Sequence, residues 1–465
     1  MITWTQHPRA TPVAALAAAL LLAACSAGSG GGPASPPAGS ASATASPALA
    51  GPTVVDDAAT SAATVDPSVA PAAPPTTPPT QALIEFLMDQ VATDPSDGEA
   101  QRDLGLAILQ RIRETADPSR YPAAEAALQA ARTLRPDDPL VGVGLGGLQL
   151  GRHAFAHALA TGRAVLEDEP GYAPARGIVV DALIELGRYD EAFREVEALA
   201  ADAPDLASLA RLSYARELRG DLDGALAAMR QAAASPGLAP ENTAFVTALT
   251  GHLLQLTGDA AGARAAYDAA LALVPDHPPS LAGLGRLAIA DGDLGEAAAR
   301  FERAAAIVPL PEYVIALGEI LEVSGDDAGA RQRYDLAQAE IALFQAGGVV
   351  VDQELALFEA DHGDPDRALA LAEAAYAASP TIRSADALAW ALHRLGRDDD
   401  AAPLAAEALR LGTLDPLLRF HAGAIAAARG DVTQARQDLE LAMADPGFSA
   451  TGAAEARRLL ASLGP

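Results

Sequence analysis

His153 and His157, in the stretch HAFAH, stand four residues apart, a spacing that on a helix puts two imidazoles on one face where they could hold a metal ion. The glutamate that follows the first histidine in zinc proteases is missing, and no third ligand is evident, so packing or surface histidines are expected. Three acidic stretches, DGDLGE from Asp291, DHGDPD from Asp361 and RDDD from Arg397, suggest calcium, yet none has the full loop spacing with its central glycine and closing glutamate. They fall on turns, where an aspartate caps the following helix. Composition removes further chemistry. All 32 basic residues are arginine, so there is no lysine for a phosphate loop, a Schiff base or a kinase-type site. Cysteine occurs once, at Cys25, which excludes disulfides and cysteine-ligated zinc. With no nucleophile elbow either, no catalytic residue, cofactor or metal is assigned and an enzyme is not expected.

The single thiol follows an apolar run, Ala10 to Ala24, that is too short to span a bilayer comfortably and ends in small residues. Leu22-Ala23-Ala24-Cys25 resembles a lipobox, the processing site of bacterial lipoproteins. The resemblance implies that residues 1–24 are a lipoprotein signal peptide and that Cys25 carries a diacylglycerol thioether at the new N-terminus. Such a protein is extracytoplasmic and anchored to a bacterial membrane, cell membrane or outer membrane, without crossing it. Residues 25–80, rich in Ala, Ser, Pro and Gly, have too little apolar bulk to fold and read as a disordered linker. About 55 such residues reach roughly 40 Å. The formal charge of −29 repels phosphate backbones, so no nucleic acid is expected as a partner.

From residue 81 a pattern Gly-(Asp or Arg)-x-x-x-Ala recurs at Gly187, Gly220, Gly258, Gly292, Gly325, Gly363, Gly396 and Gly430, with spacings of 33 to 38 residues. Each unit reads as two helices around a glycine that suits a left-handed helix end. A period of 34 belongs to a helical-hairpin solenoid, and here the sequence resembles the tetratricopeptide repeat family. The match includes small first-helix residues such as Gly285 and Gly318, second-helix alanines such as Ala304 and Ala337, and terminal prolines such as Pro275 and Pro309. About ten repeats are expected, with a leading helix near 82–93 and a polar-faced closing helix at 452–463. The fold class is therefore all-α: a superhelix of paired helices, with an N-terminal array over 81–346 and a C-terminal array over 347–465. Two wider spacings predict a loop at 236–243 and a longer helix near 338–346.

Stacked pairs bury apolar stripes that one pair cannot bury alone, and they leave a concave face open to a ligand. The resemblance places Tyr214, Phe245, His252, Arg286, Arg383, Trp390, His393 and Phe420 on that face, with Asp181, Gln255, Glu319 and Asp386 in the same register. Arg383, Trp390, His393 and Phe420 have the composition of a binding hot spot, although Trp390 could equally fill a seam between repeats. The expected function is a lipid-anchored scaffold or adaptor that binds a protein or peptide partner. The alternative is a solute- or glycan-binding lipoprotein using the aromatic-bearing groove.

Overall fold

The computed structural model describes residues 79–235 and 240–464; among them the chain is helical and contains no strand. A leading helix, α1 (Pro79–Thr93), precedes ten antiparallel pairs. They begin with α2 (Gly98–Thr115) and α3 (Tyr121–Leu134), α4 (Pro139–Gly151) and α5 (Phe155–Asp168), and α6 (Ala173–Glu185) and α7 (Tyr189–Asp202). Next come α8 (Leu206–Glu217) and α9 (Leu222–Ala233), α10 (Pro240–Leu256) and α11 (Ala260–Leu273), and α12 (Pro278–Asp291) and α13 (Leu294–Ile307). The remainder are α14 (Pro311–Val323) and α15 (Asp327–Ala346), α16 (Asp352–His362) and α17 (Pro365–Ala378), α18 (Ile382–Arg394) and α19 (Asp398–Ala408), and α20 (Pro416–Ala428) and α21 (Val432–Ala442). A closing helix, α22 (Ala450–Ser462), follows a single 3-10 turn at Pro446–Phe448. The signal segment, Cys25 and the linker up to residue 78 lie outside the described residues. Pro79 and Thr80, counted above with the linker, belong to α1, and residues 240–243 of the expected loop open α10.

The acidic turns are helix caps. The carboxylates of Asp221, Asp259, Asp293, Asp326 and Asp431 each accept the backbone N–H three residues on, satisfying an amide that the helix start leaves unpaired. Where arginine follows the glycine, at Arg188 and Arg397, no side chain caps the helix. Seven of the eight turn glycines are left-handed; Gly363 is not, with φ −126°, because Glu359 makes that turn by accepting the Asp364 N–H at 3.0 Å. Among the described residues no group of three or more acidic, histidine or cysteine side chains is placed to hold a metal.

The alanine of each turn motif (Ala192, Ala225, Ala263, Ala297, Ala330, Ala368, Ala401 and Ala435) is at most 2 % exposed. There the two helices of a pair approach closely, and a larger side chain has no room. Opposite it, Gly318 lies so near Tyr334 of the second helix that any side chain would collide with the ring. Burial of this kind repeats from pair to pair and supplies most of the apolar core.

The rod coils back on itself. Val350 N–H donates to the Arg152 carbonyl at 3.2 Å, and His153 Nδ1 pairs with the Val350 carbonyl at 2.6 Å, 197 residues away in sequence. Ile382 N–H donates to Tyr189 Oη at 3.0 Å across 193 residues, and Gln255 Nε2 donates to Asp445 across 190. A steady offset of 190 to 197 residues, between five and six repeat periods, means that successive superhelical turns touch edge to edge. The contacting edges are the hairpin turns of the first arm and the inter-repeat connections of the second. Gly187 shows the fit: with φ +70° it makes its own turn, and its missing side chain also admits the Pro380 carbonyl. The seam has an apolar interior, with Phe344, Val349 and Val351 in one core with Ile112 and Tyr121, and Ile382 and Leu418 in another with Ile184 and Leu218.

Replacing Asp259 or Asp293 by alanine removes one cap and is expected to cost about 1 kcal/mol each. Urea unfolding measures the loss, and added calcium should leave the wild-type midpoint where it was. Tyr189→Phe leaves the buried Ile382 N–H without its acceptor and is expected to cost about 1 to 3 kcal/mol in the same measurement.

Candidate binding surface along the inner face

First helices of the pairs line the inside of the coil, and their polar residues are paired there. Arg211 grips Asp181 with two bonds, 2.8 and 2.7 Å, and both side chains are buried. His421 and Asp386 form a second buried pair, 2.9 Å between Nδ1 and a carboxylate oxygen. Stacked on the His421 ring at 4.0 Å is Trp390, whose indole N–H donates to Asp361 at 2.9 Å. Burial raises the Asp361 carboxyl well above its ordinary range, against the opposing effect of Arg394 and the indole N–H. The indole N–H thus satisfies one of the two Asp361 oxygens, and Oδ2 is buried without a hydrogen-bond partner.

The inner-face residues named from the sequence divide into four groups. Trp390 and Phe420 are both 0 % exposed, 5.5 Å apart, and fill the seams between repeats. The expectation that they present a ligand surface is corrected: an indole with its N–H already used in the core has nothing to offer a ligand. His393 lies beside Trp390 and is bonded to Asp398. Arg383 is not with them. It reaches the other arm, where its guanidinium donates to the Tyr214 hydroxyl and faces Glu185 as well as Asp415 at 3.5 Å. Burial raises Glu185, with His153 and Arg383 pulling the other way, and the Tyr214 hydroxyl is raised for the same reason. His252 Nε2 stands 3.5 Å from Glu217, and Phe245 packs into the core of α8 to α10. Arg286 bonds Tyr267 and lies near Glu312 and Asp445. Cys25 is outside the described residues.

His153 of the HAFAH stretch is spent on the seam, at a left-handed φ of 58°, while His157 is exposed. The residues that sequence reasoning missed are Tyr189, Pro380, Asp445, Gly447 and Ser449. Their roles depend on a second turn lying against the first, and nothing in a repeat register signals that. A cavity lined by Arg286, Phe301, Glu312, Glu319 and Phe448 has a volume of about 40 Å³, room for a few water molecules at about 10 to 15 Å³ each.

Antiparallel helical hairpins stacked in register define an all-α solenoid of repeats. Residues 254–320 match the tetratricopeptide repeat family. Ten such pairs in sequence give the described residues the fold of a tetratricopeptide-repeat solenoid. It is 29 % identical over 183 residues to cellulose synthase operon protein C of Pseudomonas fluorescens (strain SBW25), a match covering 37 % of this chain and 14 % of that protein. The chain therefore matches only a small part of that relative's length. Among solved structures, similarity extends to PilW, a widely conserved type IV pilus biogenesis factor, at 18 % identity and TM-score 0.37, covering 45 % of this chain and 97 % of PilW. A monomeric mutant of IFIT1 with m7Gppp-AAAA aligns at 13 % identity and TM-score 0.44, covering 78 % and 94 %. Among the described residues no helix is long and apolar enough to cross a membrane.

Glu312 is raised by burial to about 7, with Arg286 opposing. The folded state therefore keeps a proton that the unfolded chain gives up near 4.5, and this residue's contribution to stability falls as pH rises between those values. His277 and His362, lowered by burial to about 4 and about 3, act with the opposite sign. The clean readout is thus the difference between wild type and Glu312→Gln. The variant should gain on wild type from pH 4.5 to 7, on the order of 1 to 2 kcal/mol after allowance for partial exposure. Urea midpoints across that range check it.

Proposed function

We propose that this protein is a scaffold held by lipid at Cys25 on the extracytoplasmic side of a bacterial membrane, where it binds another protein and performs no catalysis of its own. The observation that carries the reading is the repeat array: ten helix pairs build a large, ordered surface whose inner charged groups are tied to one another. A catalytic acid or base needs a free partner in a cleft that admits substrate. Attachment through Cys25 draws support from the apolar run and small residues before it, and from the lack of any other cysteine. The solute-binding alternative draws little from the structure, since Trp390 is enclosed and the cavity beside Arg286 has a volume of only about 40 Å³. The acidic surface favours a partner of basic or neutral charge over nucleic acid.

Crosslinking in native membranes followed by mass spectrometry tests the reading. A small set of protein neighbours should be recovered with the wild type, and Cys25→Ser should move the protein to the soluble fraction and lose them. Retention of Cys25→Ser in the membrane would remove the lipid anchor, and recovery of no enriched neighbour would remove the scaffold.

A further inference from the structure

The seam between the two turns changes character along its length. Where the second arm begins, it is apolar, built on Phe344, Val349, Val351, Ile382 and Leu418. Where it ends, polar contacts join the packing of α22 on α14, with Ala450 in a core that includes Phe301 and Ile315. There the connection between α21 and α22 leaves the edge and lies on the inner faces of α10, α12 and α14. Gln255 Nε2 donates to both Asp445 oxygens, at 2.9 and 3.1 Å. The Arg286 guanidinium faces the same carboxylate. Ser449 donates its hydroxyl to Glu319 Oε2 at 2.7 Å, and the Ala450 N–H donates to that carboxylate too. Gly447 brings its backbone against the Arg286 carbonyl so closely that a methyl group there would overlap the oxygen. Phe448 covers the small cavity and reaches Phe420 at 5.7 Å.

These contacts resemble those between a receptor and a peptide: first-helix side chains hold a short 3-10 turn and its flanking residues through a carboxylate, a hydroxyl and the backbone. α22 is held on its own arm by other contacts as well, with Ala456, Leu459 and Leu460 in the core of α16 to α21. Water can replace each of these polar partners when the segment leaves.

We propose that Asp445–Thr451 is a ligand held in cis. The inner groove spanning Gln255, Arg286 and Glu319 is a peptide site, and its ligand class is a segment bearing a carboxylate, a Pro-Gly turn, an aromatic ring and a hydroxyl in that order. A partner protein gains the groove by presenting such a segment and displacing the internal one. This assignment rests on reading the chain as a protein-binding scaffold and names the chemistry of the segment it binds.

The test uses the full chain with Gly447→Ala. The backbone at Gly447 is not left-handed, so the added methyl conflicts mainly with the docked Arg286 carbonyl, the Asp445 side chain of the turn lying farther off at 3.2 Å. A fluorescein-labelled peptide with the sequence of residues 443–452 is the probe. Expected is binding to Gly447→Ala with at least tenfold higher affinity than to wild type, by anisotropy. Amide hydrogen exchange at 445–451 should be at least tenfold faster in the variant, with helical circular dichroism unchanged. Equal peptide binding by both proteins, or no binding to the variant, overturns the proposal, as does unchanged exchange at 445–451. Should Gly447→Ala lose helical signal, Asp445→Ala carries the same readouts, since it removes both bonds from Gln255 on the internal segment and leaves the groove itself intact. Peptide binding as expected, together with no enriched neighbour in membranes, would keep the cis ligand and reject only the scaffold reading.

Discussion

Everything in this architecture depends on how closely the two helices of a hairpin approach. A fully buried alanine after each turn, set against glycine on the facing helix in several pairs, lets backbones come within reach of a single ring or leucine side chain. Close approach sets the angle between pairs, and the same angle repeated ten times becomes a curve. Small changes in that geometry accumulate. A curve that meets itself after five to six repeats brings the edges of successive turns into contact.

Contact between turns alters the energetics of the solenoid. In an open array each repeat touches only its neighbours, and stability is a sum of local terms. Here the core that includes Ile112 and Tyr121 also includes Phe344 and Val351, so one end of the first arm is supported by the start of the second. Such long-range contacts join distant repeats into one cooperative unit and bring polar groups from both arms into a shared interior. Arg383 illustrates the result: its partners Tyr214 and Glu185 come from helices of the other arm, and the three side chains satisfy charge that none could bury alone.

Burying carboxylates inside this coil has a cost that the protein meets in two ways. Some are gripped by arginine, as Asp181 is by Arg211. Others, such as Glu319 and Asp361, are raised by burial and meet hydroxyl, amide or indole donors. Both kinds lie on first helices, in positions that a repeat register alone would assign to an open groove. The inner face therefore acts as an internal surface along much of the second arm, and Asp445 and Ser449 meet it through hydrogen bonds.

The amino-acid sequence by itself determined the repeat. Glycine and aspartate at each turn, alanine five residues after the glycine, and proline at helix ends are local requirements of a hairpin, so helix pairs and their number were legible from spacing. Gly363 escaped that logic because a side chain, Glu359, makes its turn instead. What only the tertiary structure decided is where the curve closes. Trp390 and Phe420 share a register with groove residues, yet they are enclosed, and Gly187 shares a motif with Gly258 while only the former receives a carbonyl from the other arm. The physical reason is that closure depends on a summed rotation over many repeats, a quantity that no single motif encodes and that emerges only when all the pairs are stacked.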